Sequence, residues 1–215
     1  MNIELATKKH YESCKERHFS HPVVQAFAQP KLDWIYSKVD LQGLKVLEVG
    51  GGNGYFSNLL MRTSDLTVVD ISKHQLNYNP AKKKVVASVY ELPFEDNSFD
   101  VVFSSNLLHH LNDPKMALEE MKRVSRNIII IVEPNRNNPI LFIGALLLKH
   151  ERGAIKYSRK FTSSLIKDSG LSIQHHTYIG SLVMPNATPT FLLPVLKYGK
   201  SLSPASFFQI FICKK

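Results

Sequence analysis

The chain has 215 residues, 44% of them hydrophobic, which suits one globular domain with additions. Its longest apolar run, residues 140–148, is far below the roughly 20 residues of a membrane-spanning helix, and the N-terminus lacks the apolar core of a signal peptide. Cys14 and Cys213 stand near opposite ends in no metal-ligand spacing, which argues against a disulfide framework. We therefore expect a soluble, cytoplasmic protein.

The formal charge of +9 is concentrated in one part of the sequence. Residues 1–135 hold 16 basic and 16 acidic residues, whereas residues 136–215 hold 11 basic residues against Glu151 and Asp168. Such an excess suits an acidic substrate, an anionic membrane surface or nucleic acid. A solvated basic face with no partner explains it equally well.

The first 42 residues precede any strand signal. Apolar residues at helical spacing in 23–27 and 32–39 predict two or three short helices, broken by Pro22 and Pro30. We expect this part to form a helical N-terminal cap.

The most informative stretch begins with Lys45–Val49, a short apolar run with β-branched residues that predicts a buried strand. Four glycines follow within residues 50–54, and residues 55–61 have helical spacing. This arrangement points backbone N–H groups and a helix N-terminus at a ligand. The dinucleotide fingerprint G-x-G-x-x-G fails in both frames, because Tyr55 or Ser57 takes the third glycine position, which disfavours a nicotinamide-dependent oxidoreductase.

A second strand, residues 66–70, ends in Asp70. Asp70 follows the first glycine by about twenty residues, the spacing at which an acid reaches the hydroxyls of a ribose. A carboxylate there can accept two hydrogen bonds from the vicinal diol. The alternative is a surface acid that caps a helix from Ser72.

Three further strands are predicted over residues 84–87, 100–104 and 127–132. The last of these is apolar on both faces, as in a central parallel strand. Ligands of open α/β sheets bind at the carboxyl ends of the strands. Ser105 and Asn106, which follow the fourth strand, are therefore expected beside the ligand.

His109, His110 and Glu133 are the candidate catalytic residues. One histidine can act as a general base near neutral pH, or both can be helix-start residues with satisfied ring nitrogens. Glu133, at the end of the fifth strand, can bind a cation, accept a proton or cap its loop. No His-x-x-x-His or cysteine pair accompanies them, so no metal site is expected.

Residues 139–157 join an apolar run to a charged one, which predicts an amphipathic helix over the substrate site. This helix can form an acceptor pocket, a dimer face or a contact with a membrane surface. A capped helix stopped at Gly170 and strands over 171–178 and 207–213 follow. Residues 184–203 contain prolines and are predicted to be irregular.

Three sequence features together resemble the class I S-adenosylmethionine-dependent methyltransferases of the small-molecule, type 11-like kind. They are E-x-G-x-G-x-G from Glu48 to Gly54, the acid Asp70, and the series L-P-F…F-D…L-H-H-L between Leu92 and Leu111. The resemblance covers roughly residues 41–132. It implies that the glycines pack under the methionine part of S-adenosylmethionine, with Glu48 near its amino group and Asp70 on its ribose.

The resemblance also implies an adenine pocket at Ser88, where the family commonly has an aspartate that contacts the adenine amino group. The residues expected at the cofactor are Tyr11, Glu48, Gly50, Gly51, Gly52, Asn53, Gly54, Asp70, Ile71, Ser88, Val89, Tyr90, Ser105 and Asn106. The residues expected to form a lid over it are Tyr11, His18, Phe19 and His21.

The implied fold is α/β, a Rossmann-like doubly wound sheet of seven strands with an antiparallel last strand. We expect a cap over residues 1–42 and a methyltransferase domain over 43–215, with substrate-side insertions at about 136–160 and 180–205. The implied reaction is methyl transfer from S-adenosylmethionine, leaving S-adenosylhomocysteine, to an O, N or C atom of a small-molecule acceptor.

Alternatives to this function remain open. The protein can be a non-catalytic S-adenosylmethionine-binding or interaction protein. A nucleic-acid acceptor is not expected, because residues 105–108 are not an Asn-Pro-Pro-Tyr type motif. A peripheral anionic membrane surface is a candidate partner, and the protein is expected to be a monomer or a homodimer.

Overall fold

The computed structural model describes residues 7, 10–12, 16–180, 183–196 and 206–215. Seven strands form a single sheet. They are β1 (Lys45–Val49), β2 (Asp65–Asp70), β3 (Lys83–Val86), β4 (Phe99–Ser105), β5 (Ser125–Pro134), β6 (Ser172–Ile179) and β7 (Phe208–Lys214).

The strand order is β3-β2-β1-β4-β5-β7-β6. The first five strands are parallel, and β7 lies antiparallel between β5 and β6. The predicted fold class and the seven predicted strands are therefore confirmed. The largest difference is in β5, which extends by two residues at each end of the predicted 127–132.

Helices cover both faces of the sheet. The α-helices are α1 (Pro22–Tyr36), α2 (Ser57–Leu60), α3 (Lys73–Tyr78), α4 (Pro114–Val124), α5 (Pro139–Leu147), α6 (Arg159–Asp168) and α7 (Leu193–Leu196). In the part of the chain that the structure describes, three 3-10 helices span Leu108–His110, Lys149–Lys156 and Thr190–Leu192. The side chains of Ser72, Asp113 and Ser158 accept hydrogen bonds from the first turns of α3, α4 and α6, which sets where these helices begin.

Each strand sends alternate side chains to opposite faces, which divides the core in two. On one face Val46, Val101 and Ile130 pack with α1 and α2. On the other face Leu47 and Val102 pack with α4 and α6. The sheet is thus buried on both sides, which leaves the carboxyl ends of the parallel strands as the place where a ligand can enter.

The predicted break at Pro30 is wrong, because α1 runs unbroken through it. Pro22 does not break a helix either, since it occupies the first turn of α1, where a missing N–H costs nothing. Val24, Ala28 and Leu32 are fully buried on either side of Pro30. Burial of this apolar face outweighs the roughly 3 kcal/mol cost of an interior proline.

The prediction of one amphipathic helix over residues 139–157 is also wrong. The helix α5 ends at Leu147, and the charged part forms the 3-10 helix Lys149–Lys156. The segment 184–203, predicted to be irregular, contains the 3-10 helix Thr190–Leu192 and α7, while residues 197–205 lie outside the described residues. Within the described ranges, no helix is long and apolar enough to cross a bilayer.

Candidate functional site

A cavity of about 820 Å³ opens at the carboxyl ends of β1, β2 and β4. Its size falls in the range of roughly 300–1,000 Å³ that small-molecule sites occupy. Most of the predicted site residues line it: Tyr11, Glu48, Gly50, Gly51, Gly52, Asn53, Asp70, Ile71, Ser88, Val89, Tyr90, Ser105, Asn106, His109 and His110. Gly54 and Glu133 are not among the lining residues.

The glycine loop places backbone at the cavity wall. Gly50 and Gly52 have φ angles of 72° and 48°, a region that favours glycine. A Cβ added at Gly52 would meet nothing within 4 Å and would stand in the open cavity. Gly54 serves the fold instead, because its φ is 95° and an added Cβ would lie 2.3 Å from Cδ of Pro80.

Asp70 is fixed at the edge of the cavity by backbone donors. Gly52 N donates to its Oδ2 at 2.8 Å, and Ser72 N donates to its Oδ1 at 2.8 Å. The Ile71 backbone N–H also interacts with this carboxylate, and the lone pairs that remain can accept hydrogen bonds from a ligand. Burial raises the pKa of Asp70, and the backbone hydrogen bonds oppose that rise. The carboxylate is therefore placed to accept hydrogen bonds from a diol.

Glu48 is a buried acid in the wall under the glycine loop. The hydroxyl of Ser57 donates to its Oε2, and Asn79 Nδ2 donates to Ser57 Oγ at 2.8 Å. Burial raises the pKa of Glu48 to about 8, against the effect of the Ser57 hydrogen bond. A cationic ligand group would offset the desolvation of the carboxylate, so this position favours an ammonium.

The predicted adenine side is a turn after β3. Tyr90 N donates to Ser88 Oγ at 3.2 Å, so the hydroxyl keeps one lone pair for a further donor. Asp113 N donates to the Tyr90 hydroxyl at 3.1 Å, which ties the ring to the start of α4. Ser88 and Tyr90 are held at the wall by these bonds.

The lid over the glycine loop is formed by Arg17 and Asn186, which the sequence did not indicate. Asn53 Nδ2 donates to the Arg17 carbonyl at 3.1 Å, and Arg17 Nη1 donates to the Thr188 carbonyl at 2.7 Å. The Tyr55 hydroxyl donates to Asn186 Oδ1 at 2.7 Å. Two segments about 170 residues apart thus meet above the loop. No local pattern marks such a meeting.

The predicted lid residues are only partly at the cavity. Tyr11 lines it, and the Tyr11 carbonyl accepts from Gln75 Nε2 at 2.6 Å. His18 bonds Ser20, and His21 caps α1. Neither histidine lines the cavity, and Phe19 does not line it either.

Glu16, which no sequence pattern marks, lines the cavity in the same stretch of chain. Burial raises its pKa to about 7. Glu16 is half-buried, and the nearby negative charge of Asp70 also raises its pKa.

His109 lies between two carboxylates. Glu133 Oε2 is 2.7 Å from its Nδ1, and Glu151 Oε2 is 3.3 Å from its Nε2. Burial favours the neutral ring, but the two carboxylates outweigh it and raise the pKa of His109 well above 6.5. The ring is therefore an imidazolium at neutral pH and has no lone pair with which to remove a proton.

Glu133 stands behind His109 rather than in the cavity. It is fully buried, and its Oε1 accepts hydrogen bonds from Leu107 N at 3.1 Å and Leu108 N at 2.8 Å. The carboxylate caps the loop after β4 and orients the imidazole. Glu133 therefore caps a neighbouring loop rather than the loop after its own strand, and it does not line the cavity.

His110 is the neutral one of the two candidate histidines. Its Nδ1 lies 3.0 Å from the carbonyl of His150, which can only accept, so Nδ1 carries the proton and Nε2 the lone pair. Burial and the charge of His109 lower the pKa of His110 to about 3. The ring can accept a hydrogen bond but is a weak base.

His109, His110 and Glu151 bring ligand atoms within 4.8 Å of one another, a grouping that the sequence spacing did not predict. Both nitrogens of His109 are already paired with carboxylates. The three side chains therefore form an ion-pair network, in which His109 has no nitrogen left to bind a metal ion. Glu151 reaches it because Gly153 packs directly on the carbonyl of His109, where an added Cβ would lie 1.6 Å from the oxygen.

A large part of the remaining cavity wall is apolar. The lining residues there are Phe27, Ile140, Leu141, Gly144, Ala145, Leu148, Met184, Phe207 and Phe208. The cavity thus joins a polar half, with the glycine loop and Asp70, to an apolar half under α5. The two halves differ enough to hold two chemically different ligands.

Comparisons with known proteins agree with this geometry. Residues 47–129 match the family described as a methyltransferase domain. An uncharacterised methyltransferase of Mycobacterium sp. (strain KMS) is 38% identical over 89 residues, 39% of this chain and 35% of that protein. Demethylmenaquinone methyltransferase of Staphylococcus aureus is 33% identical over 111 residues, 46% of each chain. The chain spans less than half the length of these relatives.

A solved structure has the same fold over nearly the whole chain. The S-adenosylmethionine-dependent methyltransferase from Thermotoga maritima superposes with a TM-score of 0.71 over 99% of this chain and 98% of that chain, at 17% identity. The residues present also fit the cofactor: a glycine cradle with no Cβ, an acid for a diol and a buried acid for an ammonium. Residues 47–129 are thus similar to a methyltransferase domain, and the chain has the fold of an S-adenosylmethionine-dependent methyltransferase of known structure.

Proposed function

We propose that the protein transfers a methyl group from S-adenosylmethionine to an O, N or C atom of a small molecule with an apolar body. One observation carries the proposal: a single cavity joins a cofactor half, made by the glycine loop and Asp70, to an apolar half under α5. The names of the matched relatives support the reaction class.

The cofactor half would hold S-adenosylmethionine at three places. Asp70 would accept hydrogen bonds from the ribose, Ser88 would accept from the adenine amino group, and Glu48 would face the ammonium. The open space at Gly52 leaves room for the cofactor beside the loop. Bound there, S-adenosylmethionine supplies a methyl group already activated on a sulfonium.

The protein then contributes mainly position and exclusion of water. The lid bonds of Arg17 and Asn186 close the cofactor half. The apolar side chains of α5 would hold the acceptor and keep water from the reacting atoms.

His110 is the better placed of the two candidate catalytic histidines. A neutral ring with a lowered pKa would accept a hydrogen bond from an acceptor hydroxyl or amine and orient it, without storing the proton. His109 and Glu133 would act behind it as a charged pair that fixes the loop. Such a site suits an acceptor atom that is already nucleophilic, or one that loses its proton late in the methyl transfer.

The first test is calorimetric titration with S-adenosylhomocysteine. We expect micromolar-range binding by the wild type and its collapse in Asp70→Ala. Asp65→Ala is the matched control, because Asp65 begins the same strand but pairs with Lys83 at the surface. Absence of binding by the wild type would overturn the proposal.

The second test separates an enzyme from a cofactor-binding protein. Methyl-labelled S-adenosylmethionine is incubated with a panel of apolar amines, phenols and quinols, and transfer is measured in the wild type and in His110→Ala. We expect transfer that falls in the variant while cofactor binding is retained. Tight cofactor binding without turnover on any acceptor would favour the non-catalytic alternative.

A further inference from the structure

The α5 segment, residues 136–160, exposes an unusual amount of apolar side chain. Helix α5 has no polar residue after its first turn, yet only Ala145 is buried. Five large apolar residues are about half exposed or more: Ile140, Ile143, Leu146, Leu147 and Leu148. Leu147 is 75% exposed. Ile140 and Leu148 also line the cavity, so the apolar surface that faces away from it is formed by Ile143, Leu146 and Leu147. Neighbouring exposed apolar side chains of this kind mark a contact with a partner or a membrane.

The same segment is strongly basic. Its exposed basic residues are Arg136, Lys149, Arg152, Lys156, Arg159 and Lys160. The one acid in the segment is Glu151, which faces inward to His109 and is not available to offset them. Apolar and cationic side chains are thus exposed together on one short stretch, and they complement a surface that is both apolar and anionic.

Helix α5 is also the wall of the acceptor half. Ile140, Gly144 and Leu148 line the cavity, whereas Ile143 and Leu147 do not line it and face outward. Among the described residues, helix α5 therefore separates this part of the cavity from the outside. An apolar acceptor that leaves a membrane would have to pass this helix.

We propose that the α5 segment docks on the surface of an anionic phospholipid bilayer, with α5 in the interfacial region and its basic neighbours at the headgroups. Helix α5 has nine residues and cannot span the bilayer, so it would lie in the interface. The further step, that the acceptor enters from the bilayer, rests on the proposed methyltransferase function.

A second copy of the chain is a poorer occupant of this surface. In a two-fold dimer each residue of the segment meets the same segment of the partner. Six exposed basic residues on each side would then be brought together with no exposed acid to pair them. Like charges oppose such a contact, whereas an anionic bilayer attracts them.

The test is co-sedimentation of the full chain with vesicles, without cofactor or acceptor. Vesicles of phosphatidylcholine alone are compared with vesicles of equal parts phosphatidylcholine and phosphatidylglycerol. We expect binding to the anionic vesicles that weakens as salt is raised. Lys149→Gln with Arg152→Gln should weaken it by about fivefold per residue, and Ile143→Gln with Leu147→Gln by about tenfold or more.

Two control variants match these changes. Lys73→Gln with Lys82→Gln removes two exposed basic residues elsewhere, and Met116→Gln removes an apolar side chain that is 48% exposed on α4. Both should bind vesicles like the wild type. Equal losses in the control variants would overturn the proposal, as would no binding or equal binding to neutral vesicles. A dimer that Ile143→Gln with Leu147→Gln converts to a monomer would overturn it in favour of a second copy.

Failure of this proposal is distinguishable from failure of the proposed function. Vesicle binding is measured without chemistry, and cofactor binding is measured without vesicles. A protein that binds S-adenosylhomocysteine but no vesicles keeps the methyltransferase function and loses the membrane contact.

Discussion

Glu133 at the end of β5 holds the ring of His109, which follows β4, at a distance of 2.7 Å. Its other oxygen accepts from the backbone of Leu107 and Leu108, so one carboxylate fixes both the loop and the imidazolium. A buried ion pair of this kind is costly to break, because the surviving charge is left without its partner.

We expect Glu133→Gln to lower the free energy of unfolding by about 3–5 kcal/mol, because His109 loses the charge that keeps it protonated. Denaturant unfolding measures the loss. Glu119→Gln is the control, since Glu119 is exposed and lies 3.7 Å from Lys115, and it should change stability by less than about 0.5 kcal/mol. Equal effects of the two changes would contradict the assignment.

The same ion pair predicts that its stabilisation of the folded protein is lost as the pH rises. The pKa of His109 is raised in the folded protein, so between its ordinary 6.5 and its folded value the native state holds a proton that the unfolded chain has lost. The stabilisation is complete below pH 6.5 and disappears as the pH rises through the folded pKa. The stability difference between wild type and Glu133→Gln should therefore shrink from neutral pH towards about pH 10. A constant difference would show that His109 does not titrate.

Cofactor affinity should rise with pH through Glu48. Burial raises the pKa of Glu48 to about 8, so the free protein holds it protonated at neutral pH, whereas a bound ammonium favours the carboxylate. S-adenosylhomocysteine should bind up to about tenfold more tightly per pH unit as the pH approaches 8, with release of a proton. Calorimetry in buffers of different ionisation enthalpy measures that release.

Glu48→Gln should abolish most of the proton release and weaken binding at about pH 8. Glu16 also lines the cavity, and its pKa is raised to about 7, so Glu16→Gln is needed as a second variant. Glu16→Gln should leave the rise of cofactor affinity with pH unchanged above pH 7. If Glu16→Gln alone flattens the curve, the assignment to Glu48 is wrong.

Two glycines of the loop should respond differently to alanine. A Cβ at Gly52 enters the open cavity, so Gly52→Ala should fold with a loss of about 1–2 kcal/mol from its positive φ and lose S-adenosylhomocysteine binding. A Cβ at Gly54 meets Pro80 at 2.3 Å, so Gly54→Ala should lose about 1–3 kcal/mol of stability. Thermal unfolding and calorimetry on both variants check the contrast, and intact cofactor binding by Gly52→Ala would refute it.

Gly153 lets the α5 segment reach the histidines. Gly153→Ala would place a Cβ 1.6 Å from the carbonyl oxygen of His109, so the two backbones must separate and the contact of Glu151 with His109 is lost. We expect faster hydrogen exchange in residues 149–156 and lower stability. Gly144→Ala is the control, because an added Cβ there meets nothing within 4 Å and helix propensity favours alanine. Unchanged exchange in Gly153→Ala would contradict the packing.

Lys31 is buried in α1, with its Nζ 2.6 Å from the Phe27 carbonyl and over the rings of Phe27 and Phe208. Burial lowers its pKa, so below about pH 10.5 the unfolded chain binds a proton that the folded protein does not. Lys31→Met should raise stability by about 1–4 kcal/mol at neutral pH and by less near pH 10. A fall in Tm would mean that the lysine is held charged by its carbonyl and ring contacts.

The sequence was most informative where a feature depends on neighbouring residues. The apolar runs predicted the seven strands, and the position of Asp70 at the end of β2 predicted its place at the cavity. The continuity of α1 through Pro30 could not be predicted, because it depends on packing of both halves against the sheet.

The lid could not be predicted for a related reason. Arg17 and Asn186 meet only after the whole sheet has brought their segments together, and neither has a local signal. Glu151 is a similar case, since its approach to His109 depends on Gly153. The sequence therefore indicated the cofactor half of the site well and the acceptor half poorly.

The position of β7 has a consequence for synthesis of the protein. Among the described strands, β6 pairs only with β7, which follows it in the chain and separates it from β5. While the chain is being translated, β6 emerges before β7 and lacks its native partner strand until β7 leaves the ribosome. The five parallel strands can assemble earlier, and a nascent chain stalled before β7 would expose the apolar edge of β5 to chaperones or to aggregation.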